Sequence, residues 1–492
     1  MAKTLLTITA IFAFLTLHAQ TEKAVADKKY EKFAYVNAIK IYEKLAQKGQ
    51  KSPDLYKKLA NSYYFNAELE KADNYYAKLF SLDKNQEAEY YYRYSQTLKA
   101  IGKYEKANEM LAIFSQKKKE DSRGKLYAEQ KDYLETIKAN SGRFKVENLK
   151  INTEYSDYGS TVFNSKLIFA SARDTSGIFN RKHEWTNQAF TQLYEAEILM
   201  DNSLGKVAKF SSSLNSKFNE SSPVFTKDGK TVYFTRNNYN KGKKGKNSKR
   251  ITLLKIYKAE FVNEKWTNIV ALPFTSDNFS TAHPALSFDE KTLYFASDMP
   301  GTLGQSDLFK VQIHEDGTFG KPENLGNKIN TGGRETFPFV NEKELYFASD
   351  GHLGLGGLDV FVAKIDENGS FGMIKNIGSP LNSSKDDFGF FMNSETRTGY
   401  FTSNRNGGKG NDDIYQFKEI KKLDCEQQLV GIVTDFNTKI SIATAKVTLS
   451  NAQFQVIKII YSDENGQFKF DVECGAEYYV KAEKEEYNTI EK

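Results

Sequence analysis

One aromatic strand motif recurs through the middle of the chain and constrains the fold more than any other feature. Leu-Tyr-Phe-Ala-Ser-Asp occurs at residues 293–298 and again at 345–350, and Tyr-Phe-Thr-Ser-Asn follows at 400–404. Weaker copies lie at 167–171 and 232–236. A turn and a second short strand follow each copy. Units of about 52–65 residues with several short strands cannot bury both faces alone, and radial stacking of such sheets gives a β-propeller.

Five copies predict five blades, and a sixth, degenerate blade is the alternative. In the last three copies a Gly-rich turn separates the two strands, which resembles the TolB-type, WD40-like propeller repeat. The residues that define the repeat are Ser297, Asp307, Ser349, Asp359, Ser403 and Asp413. We expect them to be structural, because a catalytic residue is needed once and not in every blade. Asp in such a turn accepts hydrogen bonds from the neighbouring backbone.

The turn at residues 354–359 (Gly-Leu-Gly-Gly-Leu-Asp) resembles a Gly-rich phosphate-binding loop in sequence. Such a loop needs a strand before it, a Lys and a Ser or Thr after it, and then a helix. Here a β-strand follows instead. We therefore expect a tight structural turn rather than a nucleotide site.

Residues 20–142 are rich in Ala, Lys, Glu, Leu and Tyr and predict helices. A period of about 34 residues aligns the small residues Ala38, Ala72 and Ala107. Small residues at such positions let helices pack closely, and large residues fill the space between them. This pattern resembles the tetratricopeptide repeat, whose arrays offer a groove to another protein. A packed helical spacer without a binding role is the alternative.

Residues 425–492 alternate apolar and polar side chains, with a turn at 463–466, and predict a small antiparallel β-sandwich. The stretches 430–435 and 445–449 and the hairpin that follows resemble the carboxypeptidase regulatory-like domain. The last strands of that domain are not recognisable, so we expect the sandwich to be incomplete.

Residues 1–19 have the features of a signal peptide. Lys3 precedes a short apolar run, Leu5 to Leu17, which is too short to span a bilayer, and the small residue Ala19 suits cleavage before Gln20. No Cys follows the run, so a lipid anchor is not expected. In an oxidising compartment Cys425 and Cys474 are a candidate disulfide pair.

The expected fold class is therefore multidomain, α followed by all-β. It comprises a tetratricopeptide helical array, a central β-propeller over residues 143–420 and a small C-terminal β-sandwich. This order of segments resembles the PorE-like, OmpA-family envelope proteins of Bacteroidetes. The resemblance implies export to the periplasm, association with the outer membrane, and envelope-protein partners in type IX secretion or gliding. Family members continue into an OmpA-like domain that grips peptidoglycan, so peptidoglycan is an expected partner only if such a domain exists.

The net charge of +6, from 69 Lys and Arg against 63 Asp and Glu, is concentrated in residues 237–250. This stretch contains no acid, and its cations are Lys241, Lys243, Lys244, Lys246, Lys249 and Arg250. A nucleic-acid binder usually spreads its cations over a face or a helix, so nucleic acid is not an expected partner. We expect a mobile, solvated loop inserted into the propeller. Contact with an acidic partner or anionic lipid headgroups is the alternative.

The sequence predicts no catalytic residue, no cofactor and no metal site. It lacks the G-x-S-x-G and H-E-x-x-H motifs, and two Cys exclude a paired CxxC zinc framework. His183, His283, His314 and His352 are expected to be polar loop residues.

The predicted function is a non-catalytic periplasmic scaffold that binds protein partners. A propeller that senses or binds a peptide or glycan is the first alternative, and an enzyme acting through the propeller channel is the second.

Overall fold

The computed structural model describes residues 20–174, 182–423, 426–473, 476–487 and 490–491. The chain divides into two compact units, one up to Lys421 and one from Lys422 onward. In the described part of the chain, no helix combines the length and apolar character needed to span a membrane. The predicted signal peptide, Cys425 and Cys474 lie outside the described residues.

The described residues begin with eight helices. They are α1 (20–30), α2 (Tyr35–Gln47), α3 (Pro53–Phe65), α4 (Leu69–Leu82), α5 (Ala88–Ala100), α6 (Tyr104–Lys117), α7 (Ser122–Glu129) and α8 (Tyr133–Ala139). Apolar residues three and four apart give helices such as α2 one buried face. The Ser52 hydroxyl caps α3 by accepting from the Leu55 N–H at 3.2 Å, and Pro53 follows in the first helical position. Ala38, Ala72 and Ala107 are fully buried where these helices pack.

Five antiparallel sheets of four strands follow the helices. The first contains β2 (Asp157–Phe163), β3 (Lys166–Ser171), β4 (Gln192–Glu197) and β5 (Ala208–Lys209). The second contains β6 (Glu220–Phe225), β7 (Thr231–Asn237), β10 (Leu254–Val262) and β11 (Lys265–Ala271), and carries a separate hairpin of β8 (Tyr239–Asn240) and β9 (Lys243–Lys244).

The third contains β12 (Thr281–Leu286), β13 (Thr292–Ser297), β14 (Asp307–Gln312) and β15 (Glu323–Asn324). The fourth contains β16 (Glu335–Val340), β17 (Glu344–Ser349), β18 (Asp359–Lys364) and β19 (Lys375–Asn376). The fifth contains β20 (Asp387–Met392), β21 (Thr398–Ser403), β22 (Asp413–Glu419) and β1 (Phe144–Asn148), which comes from before the first sheet.

The sheets form a closed ring. The first strand of each sheet contacts the first strand of the next, and β20 contacts β2. β1 pairs with β22, so the fifth sheet holds both ends of the ring together. This later, all-β part of the chain is a β-propeller. The Phe of the repeated motif is fully buried in every sheet, at Phe169, Phe234, Phe295, Phe347 and Phe401.

The fold class predicted from the sequence is wrong in its α part. It separated a tetratricopeptide array from the propeller, whereas the helices and the five sheets belong to one compact unit. The helices also shorten to 8 residues in α7 and 7 in α8, which breaks the regular alternation of longer helices. The physical reason is that α5 buries polar side chains against the propeller, as described below, so these helices do not form an array of their own.

The second unit contains two sheets. One pairs β23 (Glu426–Ile432) with β26 (Gln467–Glu473). The other has the order β25 (Val456–Tyr461), β24 (Lys446–Asn451), β27 (Tyr478–Glu483) and β28 (Ile490–Glu491). Val447 and Leu449 of one sheet and Phe470 of the other form the core of this unit.

We predict that ring closure by β1 is a large part of the stability of the propeller. Phe144 on β1 is buried and its ring meets that of Phe417 on β22 edge-to-face, with centroids 5.4 Å apart. Phe144→Ala should lower the free energy of unfolding in urea by about 3–5 kcal/mol, because it leaves a cavity where the ends of the ring meet. Lys145→Ala, on the exposed face of the same strand, is the matched control and should change it by less than about 0.5 kcal/mol. Equal effects of the two substitutions would contradict this role of β1.

Candidate functional site on the propeller axis

Each innermost strand is interrupted at the same place. The pairing of β2, β6, β12, β16 and β20 with the following strand shifts register near its middle. One residue in each interruption has φ between 48° and 63°, namely Gly159, Ser222, His283, Phe337 and Gly389. Left-handed backbone at a non-Gly residue is costly and needs support from its surroundings. Here the same bulge turns one residue of every blade toward the propeller axis.

These bulges line a cavity of about 100 Å³. Its hydroxyl groups come from Ser160, Thr161 and Ser222, and His283 is the titratable side chain of its described lining. Most of the remaining lining is apolar, with Phe337, Phe339, Phe390 and Phe391 as the aromatic residues. The cavity is therefore suited to a small, largely apolar group with one or two polar atoms.

His283 is the central polar residue of the cavity. Its Nδ1 lies 2.9 Å from the Ser222 hydroxyl, and its ring stacks on Phe337 with centroids 3.6 Å apart. Burial lowers the pKa of His283 to about 3, so the imidazole is neutral near pH 7. A general base must hold a proton during the reaction, and this burial disfavours the imidazolium. The Ser222–His283 pair is thus better suited to hydrogen bonding than to catalysis.

Side chains from all five blades meet around the axis, and we call Tyr158, Ser222, His283, Phe337 and Phe388 the axial ring. His283 contacts Ser222 on one side and Phe337 on the other. The Phe337 and Phe388 rings lie 4.7 Å apart, and the Phe388 and Tyr158 rings 6.4 Å apart. At Gly159, next to Tyr158, an added Cβ would lie 3.2 Å from the Ser222 hydroxyl. The axial ring thus links the five blades by side-chain contacts beside the cavity.

A buried carboxylate is the first residue of four of the five innermost strands. Asp157, Glu220, Glu335 and Asp387 are fully buried, and Thr281 occupies this position in the third sheet. Three of the carboxylates bind arginine: Arg173 to Asp157 at 2.7 Å, Arg236 to Glu220 at 2.8 Å and Arg405 to Asp387 at 2.5 Å. These arginines also bond backbone carbonyls within the propeller. The carboxylates therefore tie strands together and are occupied by protein groups.

Glu335 differs from the other three carboxylates because hydroxyl and amide groups satisfy it. It accepts from the Thr331 N–H at 2.8 Å and from the Thr331 and Ser349 hydroxyls, both at 2.7 Å. Burial raises the pKa of Glu335 to about 8, more than these hydrogen bonds lower it. The side chain is thus mostly protonated near pH 7.

The repeat residues predicted from the sequence lie in the strand ends and turns of the blades. Asp307 accepts from the Leu303 and Gly304 N–H groups at 2.8 and 3.2 Å, and Asp359 accepts from Leu355 and Gly356 in the same way. Asp413 accepts from the Lys409 and Gly410 N–H groups. The hydroxyls of Ser297, Ser349 and Ser403 bond nearby backbone or side chains of the same blade. Every one of these contacts is internal to the scaffold.

The Gly-rich turn of the fourth blade is the place where the helices attach to the propeller. From α5, Tyr92 and Gln96 donate to the Asp350 carbonyl, the latter at 3.0 Å. The buried Lys99 ammonium, one turn further on, donates to the Gly354 carbonyl at 3.1 Å. Burial lowers the pKa of Lys99 to about 8. The turn that looked like a phosphate loop thus presents its carbonyls to a helix.

The basic run contains a short hairpin that the sequence did not predict. Its first part folds into the β8–β9 hairpin, and Asn238 ties it to Asp277 at 2.7 Å while Asn240 donates to the Ile269 carbonyl at 3.1 Å. All six cations of the run are exposed. Lys241, Lys243 and Lys244 lie on the β8–β9 hairpin, and Lys246, Lys249 and Arg250 lie in the segment between it and β10.

The prediction for His283 also needs correction, because this residue lies on β12 at the propeller axis and not in a loop. The Pro after His283 was read as a sign of a loop, whereas in the structure this Pro follows the bulge of a strand. His352 is buried too, with Nε2 2.8 Å from the Ile329 carbonyl, and the His183 ring packs against Phe190. His314 lies in a turn. No group of described His, Cys, Asp and Glu side chains is arranged to hold a metal ion.

The comparisons with known proteins give structural neighbours only. Neither a family model nor a curated protein matches the sequence. An α-L-arabinofuranosidase from Lactobacillus brevis is 12% identical over 58% of this chain and 93% of its own, with a TM-score of 0.35. The GH43_1 enzyme from Xanthomonas citri complexed with xylotriose is 12% identical over 57% and 92%, with a TM-score of 0.36. TolB from Acinetobacter baumannii is 14% identical over 51% of each chain, with a TM-score of 0.27.

Glycoside hydrolases recur among these neighbours. At TM-scores of 0.27–0.36 the similarities carry no conclusion about the activity of this chain.

We predict that the charge state of Glu335 makes the stability of the propeller depend on pH. Its folded pKa of about 8 lies above its ordinary value of 4.5, so the folded state holds a proton that the unfolded state releases. This contribution to stability is complete below about pH 4.5 and is lost as the pH rises to about 8. Glu335→Gln replaces the protonated carboxyl by an uncharged side chain of similar shape. Its free energy of unfolding relative to that of the wild type should therefore rise from pH 5 to pH 8 by several kcal/mol, at about 1.4 kcal/mol per pH unit.

Urea unfolding at pH 5, 6, 7 and 8 measures this difference. Glu367→Gln, at an exposed acid in a turn of the same blade, is the control and should show no such trend. A constant difference between wild type and Glu335→Gln across this range would show that Glu335 is ionised in the folded protein.

Proposed function

We propose that this protein is a non-catalytic scaffold of the cell envelope that binds protein partners of a type IX secretion or gliding machinery. The observation that carries the proposal is the axial ring. Side chains of five blades bond or pack against one another where a substrate channel would run. A propeller closed in this way is a rigid body that presents its outer surfaces for binding.

The attachment of the helices supports the same function. Donors of α5 bind the Gly-rich turn of the fourth blade, and Glu70 of α4 binds Lys385 before the fifth at 2.8 Å. The helices are thus fixed to two blades. A partner that binds the helices and the propeller together would meet a surface of fixed shape, which reduces the ordering that binding costs.

The place of action is proposed from the sequence resemblance. The signal-like leader, the repeated propeller motif and the C-terminal sandwich pattern resemble PorE-like, OmpA-family proteins. We therefore propose export to the periplasm and association with the outer membrane through protein partners. Binding to peptidoglycan is proposed only for a form that carries an OmpA-like domain.

An enzymatic function is less well supported, although most structural neighbours are glycoside hydrolases. Glycoside hydrolysis generally uses two carboxyl groups that flank the scissile bond. Of the four carboxylates at the start of the innermost strands, Asp157, Glu220 and Asp387 are fully buried and bound to arginine. Glu335 is fully buried as well, and Thr331 and Ser349 donate hydrogen bonds to it. None of the residues that line the described cavity carries a carboxyl group.

Ligand binding without chemistry is the second candidate function. The Ser222–His283 pair borders the cavity and offers hydrogen bonds to a small group. A volume of about 100 Å³ accommodates the end of a peptide side chain or part of a sugar ring, not a whole oligosaccharide.

Affinity purification of the full chain from cross-linked envelope fractions tests the scaffold function. We expect stoichiometric recovery of defined envelope proteins with the wild type. The variant Lys243→Glu, Lys246→Glu, Lys249→Glu reverses the charge of the basic run at residues 237–250 and should recover at least tenfold less of any partner that binds there. The control variant Lys145→Glu, Lys291→Glu, Lys321→Glu changes three exposed lysines elsewhere and should recover as much as the wild type.

Two results would overturn the proposal. One is the absence of any stoichiometric protein in the wild-type sample. The other is turnover of aryl glycosides or xylo-oligosaccharides that is lost in Ser222→Ala or in His283→Phe, because chemistry at the axis would then be the activity.

A further inference from the structure

The second unit has four edge strands among its described residues, β23, β25, β26 and β28, and β25 is the most apolar of them. β25 lies at the end of its sheet, and its described pairing is with β24 alone. Its sequence is Val-Ile-Lys-Ile-Ile-Tyr, five apolar residues and one lysine. Natural edge strands are usually short, charged, bulged or covered, because an open edge pairs readily with another chain. β25 has one central lysine as its only charge, and its pairing with β24 shifts register between Leu449 and Ser450, which leaves residues 458–461 as its regular edge.

The apolar side chains of β25 are unusually exposed. The exposed fractions are 60% for Val456, 53% for Ile457, 47% for Ile459 and 66% for Tyr461. The stacked rings of Phe454 and Tyr479, 4.3 Å apart, are exposed as well. A contiguous apolar surface of this kind on a soluble domain usually marks an interaction site.

The register assigns each β25 side chain to one face of the sheet. Ile460 pairs with Val447 and Lys458 with Leu449, and both partners belong to the buried core. Side chains alternate along a strand, so Ile457, Ile459 and Tyr461 lie on the outer face and Lys458 on the inner rim. The unpaired edge thus has an apolar outer side and a positive charge on its inner side.

We propose that β25 binds an extended segment of a partner protein, which adds to the sheet as a further strand. The edge supplies backbone hydrogen bonds, and alternate side chains of the segment supply specificity. Residues of the segment beside Ile457, Ile459 and Tyr461 are apolar, and the residue beside Lys458 is acidic. This inference rests on the proposed function in one respect only, namely that the protein has a protein partner.

A second copy of this chain fits the edge less well. Two β25 strands in contact would bring two Lys458 side chains of like charge to one short interface. An acidic segment of a different protein meets the lysine with opposite charge.

Binding of designed peptides to the full chain tests the proposal, with fluorescence anisotropy as the readout. The first probe is a labelled nine-residue peptide that alternates Val and Thr and has Glu at its centre. The second has Lys in place of this Glu, and the third has Pro in place of a central Val. The wild type should bind the Glu peptide at least fivefold more tightly than the Lys peptide and should not bind the Pro peptide, which cannot complete the ladder.

Charge reversal distinguishes strand addition from nonspecific hydrophobic binding. Lys458→Glu should reverse the preference, so that the Lys peptide binds more tightly than the Glu peptide. Ile459→Asp should weaken both at least tenfold. Val270→Asp, an exposed apolar residue on the edge strand β11 with a similar exposed fraction of 48%, is the matched control and should bind as the wild type does.

Three results would overturn the proposal: no peptide binding by the wild type, equal binding of all three peptides, or no change of preference in Lys458→Glu. Sedimentation of the protein alone gives a fourth, since a dimer that Ile459→Asp dissociates would mean that a second copy covers the edge. The peptide assay uses purified protein and no envelope fraction. Its outcome is therefore separate from the outcome of the affinity purification that tests the scaffold function.

Discussion

Closure of the ring of sheets is the constraint on which the rest of the propeller depends. A twisted four-stranded sheet has two apolar faces and can bury both only between two neighbours. The first and fifth sheets therefore need each other, and β1 secures them by crossing from the start of the propeller to pair with β22. The buried Arg143 and Glu419 form a salt bridge beside this joint. The motif phenylalanines are buried in every sheet because no sheet is left at an open end.

The same closure explains why the axis is filled. Five innermost strands converge there, and each carries a bulge. The bulge residue with positive φ is Gly in two strands and Ser, His or Phe in the other three, and these residues line a small cavity. A neutral His283 is compatible with this arrangement, since its partners are a hydroxyl and an aromatic ring. Uncharged hydrogen bonding and packing therefore dominate the centre of the propeller.

One feature of the site was accessible from the sequence and was missed. An acid precedes four of the five motif strands at a similar distance, at Asp157, Glu220, Glu335 and Asp387, and this regularity indicates a buried structural position. The bulges have no such signal, because left-handed φ at Ser222, His283 and Phe337 breaks no periodicity that can be read from the chain. The role of the Gly-rich turn has no signal in the sequence either, because the donors that bind its carbonyls lie on a helix about 250 residues earlier.

The sequence alone determined that sheets with one buried aromatic position repeat five times, because a strand buried on both faces has a run of apolar residues around the same Phe in each unit. It also determined that helices come first, through the spacing of small and large residues. Only the tertiary structure decided that these helices are part of the propeller unit, because the polar groups of Tyr92, Gln96 and Lys99 need partners that are distant in sequence. It likewise decided that the axis is closed and that β25 is open, since contacts across a ring and the absence of a neighbouring strand depend on how distant segments meet.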